Sequence, residues 1–250
     1  MKKLLTFAIT ITLVFASSEK VYKNIVTSDK TIYTNPLDEK DIIVQNKENA
    51  GVIEQPLCSC GLRHVPDLFF SEYAEGSSNN KYMELYNPTD ETINLSDYAF
   101  PNVSNAPSTP GEFEYWNEFT EGAAVAPGDV YVICHPSSDD VILAECDQTH
   151  NYMSNGDDGY ALAKTSMGGP AYIDWIGDFN GDPGSGWTVC GTSNGTKDHT
   201  LVRIASVHAG MDWATSSSEE GCEWEVYDQN DWTNLGSHSY SGYTPTCADL

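Results

Sequence analysis

Positive charge is what this sequence has least of. Of 250 residues only 12 are Lys or Arg, against 37 Asp or Glu, a formal charge of −25. A protein that grips nucleic acid needs Lys and Arg to displace the counterions of the phosphate backbone, so direct nucleic-acid binding is excluded. Apolar runs are also scarce. The stretch from Leu4 to Ala16 falls short of the roughly 20 residues a bilayer-crossing helix needs, and no second such stretch occurs in the chain. The six His are scattered, with no H-x-x-x-H spacing, which argues against a transition-metal centre. No repeat period or low-complexity tract is present. Core-building residues are not lacking: six Trp, fourteen Tyr and eight Phe can supply a packed interior, and 20 Gly with 12 Pro point to many turns and few long helices.

Lys2 and Lys3 precede the apolar run, and Ala16 or Ser18 offers a small-residue cleavage point. Residues 1–18 therefore read as a signal peptide, and the mature chain as secreted, soluble and without a membrane span. The C-terminal residues lack the apolar tail of a lipid-anchored precursor. Seven cysteines suit an oxidising compartment, and the odd number leaves at least one free or paired to another molecule. Pairing Cys134 with Cys146 and Cys190 with Cys222 would staple neighbouring elements, leaving Cys247 to Cys58 or Cys60. Residues 19–66 carry few aromatics and no sustained helix or strand period, as an extended leader would. Within them Cys58, Cys60 and His64 are one or two ligands too few for zinc.

From Asp67 the texture changes to short runs of alternating apolar and polar residues between Gly, Asn, Asp, Pro and Ser clusters, the pattern of an all-β chain. Strands are expected at 68–73, 81–86, 92–100, 130–134, 160–164, 172–176, 200–204 and 223–227. In the second of these Met83 and Leu85 share one face, and Tyr82, Glu84 and Tyr86 the other. Asn87-Pro88-Thr89-Asp90 makes a turn. One short helix is expected near 138–146, where Ser138, Asp139 or Asp140 can cap Val141-Ile142-Leu143-Ala144.

The run DLFFSEYAEGSSNNKYMELYNPTDETINLSDYAF, residues 67–100, resembles the opening of the lamin tail domain. Cys134-His135-Pro136, then Ser154 through Leu162, then Ile173 through Phe179 resemble the middle strands of its exported and bacterial branch. His199-Thr200-Leu201-Val202-Arg203, Glu223-Trp224-Glu225-Val226 and Leu235-Gly236-Ser237-His238 resemble its closing motifs. The resemblance implies an immunoglobulin-like β-sandwich over residues 67–240, followed by a tail over 241–250. It does not imply a nuclear location, since the chain has no heptad rod. In the exported branch the domain accompanies phosphoesterases, nucleases and other surface hydrolases as a non-catalytic part. Fewer than fifty mature residues precede Asp67 and about ten follow His238, too few for an enzyme domain on either side.

Gly191-Thr192-Ser193-Asn194-Gly195 matches the G-x-S-x-G nucleophile elbow, but residues 196–203 are loop and strand by composition, where the elbow needs a helix. Ser78-Asn79-Asn80-Lys81 matches S-x-x-K without its companion boxes, and no catalytic residue is assigned. Two acidic loops carry more: Asp157 and Asp158 in NGDDG, and Asp178, Asn180 and Asp182 in DFNGDPG. Their alternate oxygen ligands suit calcium, although Pro183 and Val189 stand where an EF-hand wants Gly and Glu, and Asx turns are the default. No cofactor is required. Arg203, in an apolar strand, is expected to pair with a carboxylate such as Asp174. Tyr115-Trp116 and Trp232 lie in polar segments; packing is their default, and a carbohydrate or peptide platform the alternative. Asn94, Asn102 and Asn194 head N-x-S/T sequons, which matter only in a eukaryotic host. The expected function is a secreted, non-enzymatic binding, adhesion or surface-association module with an extracellular protein or glycan partner. The alternative is an accessory or degenerate targeting subunit for an extracellular phosphoesterase or nuclease.

Overall fold

The computed structural model describes residues 66–165 and 169–242, together with the strand backbones at 14–15, 21–26, 30–34 and 43–46. The chain divides into two units, residues 1–64 with 244–250 and residues 65–243. In the first, β1 (Val14–Phe15), β2 (Val21–Val26), β3 (Lys30–Thr34) and β4 (Ile43–Asn46) pair antiparallel in that order. β2 to β4 fall in the segment expected to be an extended leader. Short β-branched runs such as Thr31-Ile32-Tyr33-Thr34 suit strands even where no long period announces them. The cleavage point, Cys58, Cys60, Cys247 and the tail beyond residue 242 lie outside the described residues.

The second unit is all-β with two one-turn helices. One sheet has six strands in the order β12 (Gln148–Thr149), β11 (Val130–Cys134), β6 (Lys81–Tyr86), β5 (Phe69–Glu75), β15 (His199–Arg203) and β16 (Trp224–Asp228). Its pairs are antiparallel except β11 with β12. The facing sheet orders β14 (Ala171–Ile176), β13 (Gly159–Lys164) and β8 (Tyr98–Ala99), and β9 (Asn102–Val103) also pairs with β13. A small pair, β7 (Ile93–Asn94) with β10 (Ala124–Val125), completes the sandwich. The strand expected at 92–100 is broken by a 3₁₀ turn over Leu95–Asp97, because the Asn94 side chain accepts from Ser96 N at 2.9 Å and turns the chain.

The core between the sheets takes Phe70, Tyr73, Met83, Leu85, Ile133 and Leu201 from one side and Tyr98, Phe100, Tyr160, Leu162 and Ile176 from the other. Each such side chain contributes about 1.5–3 kcal/mol by leaving water. The opposite face of the six-stranded sheet is not solvated. Along β5 every residue is buried, and along β6 all but Lys81. The cover is residues 231–240: Trp232 meets Tyr82 at 5.6 Å between ring centroids, His238 meets Tyr86 at 4.9 Å and Tyr240 meets Tyr86 at 5.4 Å.

The helix α1 (Asp140–Leu143) follows Asp139 at the N-cap, yet the Asp139 side chain makes no cap bond. It accepts instead from Asn80 Nδ2 at 2.8 Å, tying α1 to the β5–β6 turn. The second helix, α2 (Trp213–Ser216), is capped by Asp212, whose carboxylate accepts from Thr215 N at 3.0 Å. Both described disulfides are those expected. Cys134–Cys146 ties β11 to the end of α1, and Cys190–Cys222 ties the loop before β15 to the approach to β16.

Candidate functional site

Residues 113–119 run beside β8 and β9 without forming a named strand. Bridges at Ala99 with Glu118 and Asn102 with Tyr115 set the register. Both backbone groups of Asn102 are fixed to this segment: its N–H donates to Tyr115 O at 2.9 Å, and its carbonyl accepts from Glu114 N and Tyr115 N, each at 3.0 Å. The Asn117 amide donates to Phe100 O at 2.9 Å and to Asn102 Oδ1 at 2.8 Å. Glu114 pins the preceding loop, accepting from Ser104 N at 3.2 Å, Ser108 N at 3.0 Å and Ser108 Oγ at 2.5 Å. Those bonds, the Ser108 hydroxyl foremost, hold the Glu114 carboxyl below the usual carboxylate range.

Opposite this ledge stands the loop 150–155. His150 N donates to Cys134 O at 2.8 Å, and Tyr152 O accepts from Tyr160 Oη at 2.7 Å, so the loop is fastened to both sheets. His150 packs edge-on against Phe100 at 5.4 Å, and burial lowers its pKa by disfavouring the charged ring. Between ledge and loop lies an open cleft of about 770 Å³, walled by Tyr115, Trp116, Tyr152 and His150, with carboxamides of Asn102, Asn117, Asn151 and Asn155 among them. The cleft is within the size range of small-molecule sites. Tyr152 is 79% exposed and Tyr115 54% exposed. No Lys or Arg lines the cleft; Glu114 and Asp158 do.

Residues 63–178 match the family model described as Lamin Tail Domain. That segment is a lamin tail domain. No curated protein matches the sequence. A solved DUF4876 family protein from Bacteroides thetaiotaomicron is similar over 90% of this chain and 83% of that one, with 13% identity and a TM-score of 0.38. The cleft lies wholly on the lamin tail domain, while β15 and β16, beyond the matched residues, complete its six-stranded sheet.

The two acidic loops do meet, the first within the matched residues and the second starting at their end. A Cβ on Gly159 would fall 2.3 Å from Asp178 O, and Trp187 Nε1 donates to Asp158 O at 2.9 Å. Their side chains have backbone partners. Asp178 accepts from Asn180 N and Asp182 from Gly184 N, both at 2.6 Å, as Asx turns. Asp158 accepts from Asn105 N at 2.8 Å, and the Asn105 amide, nitrogen turned inward, reaches Asp157 at 2.9 Å. Among the described residues no three His, Cys, Asp or Glu side chains gather at metal-ligand spacing.

Ser193 sits exposed in the turn that follows the Val189–Thr192 bridge, with β15 and not a helix after it. Lys81 is held by Glu75 at 2.7 Å and Ser154 O at 2.8 Å. Arg203 pairs with Asp174 at 2.5 Å, both fully buried. Trp232 packs on Tyr82, away from the cleft. Tyr115 and Trp116 both line the cleft, Tyr115 largely exposed and Trp116 packed against Phe113 at 5.3 Å between ring centroids. Asn102, nominally a sequon, is buried and bonded to Asn117. Sequence reasoning missed Tyr152 and the loop carrying it, although Asn151-Tyr152 is as plainly an aromatic among polar neighbours as Tyr115-Trp116 is.

Proposed function

We propose that this chain acts outside the cell as a non-catalytic binding and surface-association module, with the cleft between Tyr115 and Tyr152 as its contact surface. The observation that carries the reading is the pair of exposed tyrosines held on fastened backbone at the lip of a cleft. Large rings left in water above ordered backbone are contact groups kept ready at low entropy cost. The lamin tail family is non-catalytic in general. Two intramolecular disulfides suit an oxidising exterior, and among the described residues no helix is long and apolar enough to cross a membrane.

Sedimentation with cell-envelope material from the producing organism tests it. The wild-type chain pellets with the envelope, and the Tyr115→Ala/Tyr152→Ala double variant stays in the supernatant with an unchanged melting temperature. Equal pelleting of both would sink the assignment of the cleft. Ester hydrolysis that disappears on Ser193→Ala would overturn the non-catalytic part.

A further inference from the structure

The cleft's ligand chemistry can be read from what its walls offer. The backbone of Asn102 is spent: it exchanges hydrogen bonds with Glu114 and Tyr115 on one side, and Asn102 pairs with Tyr160 of β13 on the other. A peptide docking by strand addition needs free N–H and C=O groups, which Asn102 no longer offers, so recognition there falls to side chains. Asn117 uses its amide nitrogen on Phe100 O and Asn102 Oδ1, which leaves Asn117 Oδ1 as an acceptor and Asn102 Nδ2 as a donor. Carboxamides that both give and take hydrogen bonds, set among aromatic faces, complement a ligand of many hydroxyls with apolar C–H faces. That is the surface of a sugar ring.

Charge narrows the class. No cation lines the cleft, Glu114 stands in its wall as a fixed carboxylate, and residues 67–250 carry four Lys/Arg against thirty Asp/Glu. A uronate or sulfate group entering here meets like charge without a compensating partner.

We propose that the Tyr115–Tyr152 cleft binds an uncharged oligosaccharide and discriminates against anionic ones. This rests on the cleft being the binding surface and adds its ligand class.

Titration calorimetry on the full chain tests it with two probe sets: cello-, manno-, xylo- and N-acetylchito-hexaose as neutral ligands, and hexagalacturonate and a heparin hexasaccharide as anionic ones. At least one neutral hexasaccharide is expected to bind with a Kd below about 1 mM, and each anionic one at least about tenfold more weakly. Tyr152→Ala and Tyr115→Ala should each weaken the neutral ligand by about tenfold without lowering the melting temperature. An anionic probe binding as well as the best neutral one overturns the charge discrimination. No neutral binding, while envelope association still needs both tyrosines, refutes the sugar class and leaves the cleft as the contact surface. Neutral binding indifferent to both tyrosines refutes the cleft itself.

Discussion

The most demanding single residue is Asp174. It is fully buried, accepts from Phe70 N at 2.7 Å and Met211 N at 3.1 Å, and pairs with Arg203 at 2.5 Å. Burial pushes its pKa up, while the Arg203 charge and these N–H groups pull it down. Arg203 also stacks over Trp224 at 4.2 Å and faces Glu223 at 3.6 Å. Removing one charge strands the other in the core. Asp174→Asn should therefore cost about 3–5 kcal/mol in urea unfolding, whereas an exposed change such as Glu91→Gln should cost under about 0.5 kcal/mol. Near-equal losses would show that the pair is not carrying the sandwich.

Among the elements, the segment 231–240 over the six-stranded sheet has a built-in pH dependence. Beneath it Glu72 and Glu84 stand opposite each other on β5 and β6. The Tyr82 hydroxyl donates to Glu72 Oε1; Glu84 accepts from Ser71 Oγ at 2.7 Å and Gly236 N at 2.8 Å. Burial first, then neighbouring carboxylates (Glu84 and Asp231 for Glu72, Glu145 and Asp147 for Glu84), raise Glu72 to about 8 and Glu84 to about 7. Both raised groups keep their proton in the folded state after the unfolded chain has lost it. Their stabilising contribution is complete below pH 4.5 and is lost as pH rises toward 8. Wild type should lose more stability between pH 5 and pH 8.5 than the Glu72→Gln/Glu84→Gln variant, read from urea midpoints at each pH. Parallel curves would refute the coupling.

The disulfide Cys134–Cys146 closes a short loop around α1, an element of one turn with too few backbone bonds to persist alone. Replacing both cysteines by Ala should cost about 2–4 kcal/mol. Protection against amide exchange should be lost first over 139–146, and uniform loss across the sandwich would contradict a local staple.

For the whole molecule the governing quantity is charge. Four Lys/Arg against thirty Asp/Glu on residues 67–250 make the chain repel itself and any polyanion. Raising sodium chloride from about 0.05 to 0.5 M should raise the melting temperature by screening that repulsion, and a fall would show that ion pairs dominate instead. In chelator-containing buffer at physiological salt the chain should not shift duplex DNA in a gel, because it lacks the cations that release phosphate counterions.

The sequence by itself determined the all-β class and most strand positions; the disulfides Cys134–Cys146 and Cys190–Cys222 and the Asp174 partner of Arg203 were each one arrangement among several until the tertiary structure placed them. The class and the strands follow from local alternation and turn residues, whereas the cost of an unpaired charge in an apolar strand says that Arg203 needs a carboxylate without saying which one. The six-residue alternation of β6 is legible, but alternation alone does not say whether the face of Tyr82, Glu84 and Tyr86 meets water. That face is closed by residues more than a hundred positions later, and no local period announces a distant cover. The cleft is of the same kind. Tyr115-Trp116 stands out in the sequence only as aromatics among polar residues, for which packing is the default. Its ledge at 113–119 and its wall at 150–155 meet only because β9, β11 and β13 bring Asn102, Cys134 and Tyr160 to one end of the sandwich. Which aromatics are buried and which are left in water is set by that long-range pairing, and only the tertiary structure decided it.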